Sequence, residues 1–206
     1  MTPTQYERQV FINCPFDPEY QPIRDAITFT VFDCGFRPRT SLEVDDSSQV
    51  RIDKIFEIIR DCRLGIHDIS WTEVDDETGL PRFNMPLELG MFLGAKRFGQ
   101  DRQKKKTGLI LDRERFRFQS FISDIAGQDI RSHHGKPQEA IEVVRDWLRS
   151  VRPKVSIPGG KIVARRYDSF CIDLPAMCEQ LSLSREELTY IDYTWCVSEW
   201  LKTNPW

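Results

Sequence analysis

QVFINCPFD, residues 9–17, is the stretch that decides how the rest of the chain is read. Gln9 to Asn13 form a short apolar run of strand-forming residues, which reads as a buried strand. Cys14-Pro15-Phe16-Asp17-Pro18 breaks it. From Pro22 onward the pattern turns helical: Ile23, Ile27, Val31 and Cys34 recur at about four-residue spacing, and Gly35 ends the run.

The same alternation continues outward. FRPRT, residues 36–40, suits a second strand that Pro38 keeps short or at an edge. After the polar EVDDSSQ segment, Ile52, Ile55, Phe56 and Ile59 mark one face of a helix that Ser47 or Ser48 would cap. RLGIHDI, residues 63–69, is a third strand, and TGLIL, residues 107–111, a fourth. Between them lie a long acidic loop, Ser70 to Phe83, and a helix running from the stretch RFNMPLELG to about Arg97. Residues 113–127 suggest a helix through Phe118, Phe121 and Ile122, and Gln128 to Ile130 a short strand. Pro137 opens a strong helix with Ile141, Val144, Trp147 and Leu148 inward, since a first-turn proline lacks only an amide that has no partner there. Strands alternating with helices predict an α/β fold with an open, mostly parallel sheet and flanking helices.

Residues 151–161 read as a linker. The expected division is therefore an α/β domain over 1–152 and a helical C-terminal extension over 153–206. In the extension, Ser184 and Glu187 have the spacing of a capping box. Leu188, Ile191, Trp195 and Val197 would line the helix it opens. The aromatic residues of this tail are expected to pack against the main domain or a second copy of the chain.

The 206 residues carry a net charge of −3, with 40% hydrophobic and 30% charged residues. No global basic excess equips the chain for general nucleic-acid binding. Lys104, Lys105 and Lys106 form the densest basic run and read as a solvated lead-in to the fourth strand. The six cysteines are scattered without a C-x-x-C pair, and three histidines give a metal site little support, so no metal is expected. The polar N-terminus does not read as a signal peptide, and no apolar run approaches the ~20 residues of a membrane helix. A reducing, cytoplasmic setting with mostly buried thiols is expected.

In an open α/β sheet, ligands bind beyond the carboxyl ends of the strands. That rule gathers Asn13 to Asp17, then Arg39 to Glu43, then Asp68, Ser70 and Trp71, and the loop carrying Arg82 and Asn84, onto one rim. Met85, Leu89 and Phe92 have the spacing of a buried stripe, while Asn84 and Glu88 share the face beside it. Pro86 is tolerated only in the first turn, which puts Glu88 near the helix start. There the macrodipole favours an ionised carboxylate, suited to a nucleophile or to stabilising developing positive charge. The other reading of the same spacing is an Asn84 N-cap followed by an ordinary first-turn glutamate. Cys14 at a strand end is a weaker thiol candidate, and Arg39 and Arg51 are candidates for meeting phosphate. No G-x-G-x-x-G, Walker A or H-E-x-x-H motif occurs.

Taken in order, VFINCPFD, a helix ending in CGF, a helix with II-x-x-C, IHDIS and NMPLELG-x-x-LGAK resemble the TIR-domain and nucleoside 2-deoxyribosyltransferase-like superfamily over roughly residues 9–150. The resemblance implies a flavodoxin-like sheet. It also implies an N-glycosidase or NAD-glycohydrolase type of enzyme, in which Glu88 faces the anomeric carbon of a ribose. Asn84 would bind ribose hydroxyls, Asp68 and Arg82 would hold polar groups, and Asn13, Phe16 and Arg39 would complete the substrate site. The substrate would be NAD or a nucleoside, with no cofactor required, and bacterial antiphage defence is the biological setting the resemblance suggests. A homo-oligomer is expected. The alternative is a non-catalytic module that senses a nucleotide or binds protein. Asn84 stands where such enzymes often carry serine or cysteine, and Cys14-Pro15-Phe16 replaces their usual tyrosine or serine.

Overall fold

The computed structural model describes residues 4–43, 46–74 and 79–206. Among them a five-stranded, all-parallel sheet has the order β2-β1-β3-β4-β5. Its strands are β1 (Gln9–Asn13), β2 (Arg37–Arg39), β3 (Leu64–Asp68), β4 (Thr107–Asp112) and β5 (Arg131–Ser132). This is the flavodoxin-like order, in which the chain changes direction across the sheet between β1 and β3. β1 and β3 are buried along their whole length because helices cover both faces.

The helices are α1 (Gln5–Arg8), α2 (Gln21–Asp33), α3 (Arg51–Asp61), α4 (Asn84–Phe98), α5 (Pro137–Val151), α6 (Gly160–Gln180) and α7 (Tyr190–Thr203). Ile23, Ile27 and Val31 of α2 and Ala140, Val144 and Leu148 of α5 pack on one face of the sheet. On the other face, Ile55, Ile58 and Ile59 of α3 meet Phe11 of β1 and Phe92 of α4. Each such buried aliphatic or aromatic side chain contributes about 1.5–3 kcal/mol relative to exposure. No described helix is long and apolar enough to cross a membrane.

Several local expectations are corrected. The face of α3 is turned by one position: Ile58 is buried while Phe56 is 49% exposed. Neither Ser47 nor Ser48 caps α3, whose N-cap is Val50. Residues 113–127 form no α-helix but two short 3-10 turns, Arg117–Ser120 and Ser123–Ile125. Phe116 there has a left-handed φ of 65°. Arg117 ties this segment to the end of β3, donating to the carbonyls of Ile69 and Ser70, to Thr72 Oγ1 and to the Asp112 carboxylate. The last strand is Arg131–Ser132, just beyond the expected Gln128 to Ile130.

Lys106 is not solvated. It is 1% exposed, and its Nζ donates to the carbonyls of Ile59 and Cys62. A cation on those carbonyls satisfies the exit of α3, where helix carbonyls lack partners.

The tail packs on the sheet domain. Val163, Tyr167, Phe170 and Leu174 of α6 and Tyr193, Cys196 and Trp200 of α7 form one cluster with Ala26 and Phe29 of α2 and Ile141 of α5. The Ser184–Glu187 capping box forms, but it opens only a 3-10 turn. A second box, Thr189 with Asp192, opens α7. Leu188 therefore precedes the helix, Val197 is buried as expected, and Ile191 and Trp195 are about half exposed.

Candidate functional site

Beyond the carboxyl ends of β1 and β3 the chain leaves a hollow of about 90 Å³. Asn13 to Asp17 line it from the β1 side. Arg82, Asn84, Met85 and Glu88 line it from the entry of α4, and Arg51 from the start of α3. It therefore lies at the switch point where the strand order reverses, where α/β sheets bind ligands.

The wall at α4 is held by Asn13. Its Nδ2 donates to the carbonyl of Met85 at 2.9 Å and to His67 Nδ1 at 3.1 Å. The start of α4 is thereby pinned to the ends of β1 and β3. Since His67 Nδ1 accepts, its proton sits on Nε2. Burial, with the charge of Lys106, pushes the His67 pKa down to about 3, so this ring is neutral at neutral pH. A second tie crosses the rim, where Arg82 Nη1 donates to Asp17 Oδ1 at 2.6 Å.

Glu88 is the carboxylate on the inner wall. It is 8% exposed, beside the buried stripe of Met85, Leu89 and Phe92. Burial pushes its pKa from the ordinary value of 4.5 up to about 7, and the nearby Arg51 guanidinium partly offsets this. The expectation that the helix start would hold Glu88 firmly ionised is thus reversed: desolvation outweighs the roughly 0.3–1 kcal/mol that a macrodipole supplies. Asn84 is the first helical residue and not the cap, which falls on Phe83 without a side-chain bond. Glu88 lies beyond the first turn, so the cap-and-first-turn reading does not describe this helix start.

A carboxyl near half ionisation at neutral pH can give or take a proton, attack a carbon centre, or stabilise a cation. Opposite it stand the half-buried Phe16 ring and Arg51, whose guanidinium carbon lies 5.6 Å from that ring's centre.

Of the seven residues expected to form the substrate site, five meet around the hollow: Glu88, Asn13, Phe16, Arg82 and Asn84. Arg39 and Asp68 do not line it. Arg39 pairs with Glu43, donating from Nε at 2.8 and 2.7 Å. Asp68 is fully buried below the rim. Its Oδ2 accepts from the Tyr20 hydroxyl at 2.6 Å and its Oδ1 from the Ser70 amide at 2.8 Å. His133 Nε2 lies 3.0 Å from Oδ2, in ion-pair range. The Gly135 amide donates to His133 Nδ1, which leaves the ring proton on Nε2, facing Asp68. These partners hold the Asp68 pKa below its usual range against the upward push of burial. Asp68 thus braces the ends of β3 and β5 under the site.

Tyr20 and His133 escaped the sequence reading because a buried hydrogen-bond network leaves no spacing signature. Arg51 was visible only as a candidate phosphate contact, and its position beside Glu88 depends on the α3–α4 packing. Cys14 lines the hollow, but burial pushes its thiol far above the ordinary range, which removes the thiolate a nucleophile needs. No group of three His, Cys, Asp or Glu among the described residues is arranged to hold a metal ion. Comparison with protein-family models, with curated proteins and with solved structures gives no match, so the reading of this site rests on its own geometry.

Proposed function

We propose that the chain breaks the N-glycosidic bond of a nucleotide or nucleoside, with Glu88 as the catalytic carboxylate. The observation that carries this is a buried carboxylate, raised to about 7, on the wall of a hollow at the β1/β3 switch point. Breaking the bond between a ribose and its base passes through an oxocarbenium-like state. A carboxylate beside the anomeric carbon stabilises that charge or traps it covalently. When the base is nicotinamide, the leaving group already carries positive charge and needs no strong general acid. In that case the ionised fraction of Glu88 is the active one, and the substrate's own cation favours ionisation. Asn84, exposed at the mouth, would bind ribose hydroxyls, and Phe16 would give an apolar wall. The resemblance of NMPLELG and IHDIS to TIR-type and deoxyribosyltransferase-type proteins points the same way.

The test incubates the purified chain with NAD and, separately, with purine and pyrimidine deoxynucleosides, following base release by chromatography. Wild type is expected to release base, and Glu88→Gln to lose about 10²–10⁴-fold in rate. Equal rates in the two proteins, or no release by wild type from any of these substrates, overturn the proposal. Retained nucleotide binding without release would mark a sensing module.

A further inference from the structure

At about 90 Å³ the Glu88 hollow is too small to enclose a nucleotide, since ligand sites run to roughly 300–1,000 Å³. Arg51, however, faces a second depression. Arg51 also lines a groove of about 530 Å³, which Ser41, Leu42 and residues of 46–54 border on one side and the start of α7 on the other. Ser41, Leu42 and Lys54 lie along one wall, and Tyr190 and Ile191 along the other. Arg51 lines both spaces.

The groove's chemistry is two-sided. The hydrogen bond from Arg51 Nη2 to Ser41 Oγ is long, 3.4 Å, and Arg51 is exposed, so its guanidinium retains donors for an anion. Lys54, three residues along α3, lines the same groove and adds positive charge. Asp46 also borders the groove; its carboxylate accepts from the amide and hydroxyl of Ser48 at 2.9 and 2.6 Å, stays ionised and offsets the charge of Lys54, which leaves Arg51 as the cation argued to meet an anion. Ile191 is 51% exposed, while Leu42 and Tyr190 are half-buried, so the far end offers apolar surface. An elongated ligand with a ribose at one end, phosphate in the middle and a base at the other end matches this order of groups.

We propose that this groove is the second half of the ligand site: phosphate binds at Arg51, and a base lies against Leu42, Tyr190 and Ile191. This rests on the reading of the Glu88 hollow as the place where a ribose is held. It makes the C-terminal helix α7 a wall of the site and selects phosphate-bearing dinucleotides over free nucleosides.

The test is calorimetric titration of the full chain with ADP-ribose, a diphosphate joining adenosine to a second ribose, with adenosine as the control. Ile191→Asp is expected to weaken ADP-ribose about tenfold or more, Ile191→Leu to leave it within about twofold, and both variants to melt as wild type does. Equal ADP-ribose affinity in wild type and Ile191→Asp, or adenosine bound as tightly as ADP-ribose, overturns the inference. Base release from NAD is followed in parallel. Ile191-dependent ADP-ribose binding without base release from NAD or from any of the deoxynucleosides leaves the groove standing and removes the enzymatic reading. Base release unchanged by Ile191→Asp, with unchanged ADP-ribose affinity, does the reverse.

Discussion

A glutamate among leucines has a measurable consequence at the scale of the single residue. Its carboxyl is raised from 4.5 to about 7 in the folded chain, so folding disfavours its ionised form. By linkage, the stability associated with Glu88 is full below about pH 4.5, is lost as the pH rises through about 7, and is flat above that. The difference is worth roughly 3 kcal/mol. Glu88→Gln is therefore expected to melt like wild type near pH 4.5 and higher than wild type at pH 8, as thermal unfolding across that range would show. A gain that is equal at both pH values would mean that the carboxyl is not desolvated. Arg51 supplies the opposing charge. Arg51→Met should move the Glu88 titration upward, and with it the alkaline-rising limb of any base-release profile, while Arg51→Lys restores most of it. A merely structural role for Arg51 would lower the rate without moving the midpoint.

At the scale of the element, α4 shows which signals survive from sequence to structure. Its stripe of Met85, Leu89 and Phe92 was legible because helical periodicity follows from backbone geometry, and Pro86 allowed only one register for the start. The strands were legible as apolar runs bounded by breakers. The segment 113–127 was not, although Phe118, Phe121 and Ile122 have helical spacing. Contacts of Arg117 with carbonyls 47 and 48 residues away, and the left-handed Phe116, override that spacing. Lys106 was misread for the same reason, since its acceptors lie 44 and 47 residues away and only the folded chain brings them near. Of the site, the residues on α4 and after β1 were legible from the rim rule, whereas Arg39 and Asp68 satisfied that rule and yet are engaged elsewhere. Two substitutions test the packing around α4. Gly65 leaves room for nothing larger, because a Cβ there would lie 2.6 Å from His67 Nε2 and 2.8 Å from the Phe92 ring. Gly65→Ala should cost about 1–3 kcal/mol of unfolding free energy in urea. Lys106→Met keeps the bulk but leaves two buried carbonyls unpartnered, and should cost about 1–3 kcal/mol. Wild-type midpoints in both variants would show that this layer is looser than its geometry.

At the scale of the whole molecule, the sheet and the tail share a joint. Arg166 of α6 donates from Nε to Asp33 at the end of α2 at 3.0 Å, and from Nη2 to the Asn204 carbonyl at 2.7 Å. Its guanidinium carbon lies 5.2 Å from the Trp200 ring and 4.1 Å from the Trp206 ring. The Trp206 indole donates to the Asp33 carbonyl at 3.1 Å, which closes the loop. Asp33 is buried, and even with this partner its pKa is pushed up to about 6. Arg166→Leu would leave that carboxyl in place without its cation, at a cost of about 3–5 kcal/mol where it is ionised. The sign follows from the raised value: wild type ionises Asp33 near 6 and the variant only above that, so the loss should be smallest below about pH 6 and grow as the pH rises above it. The double variant Arg166→Leu/Asp33→Asn should recover most of it at pH 8. Removing the tail altogether is a harsher change, since it uncovers Ala26, Phe29 and Ile141, all fully buried in the intact chain. A chain ending at residue 152 is expected to bind a hydrophobic dye, to melt well below the full chain and to aggregate, which differs from the compact, well-melting product of trimming a flexible appendage. A truncated chain that melts within a few degrees of the full one, without dye binding, would show that α6 and α7 contribute little to the shared core. The α7 wall of the proposed groove would then have no rigid support.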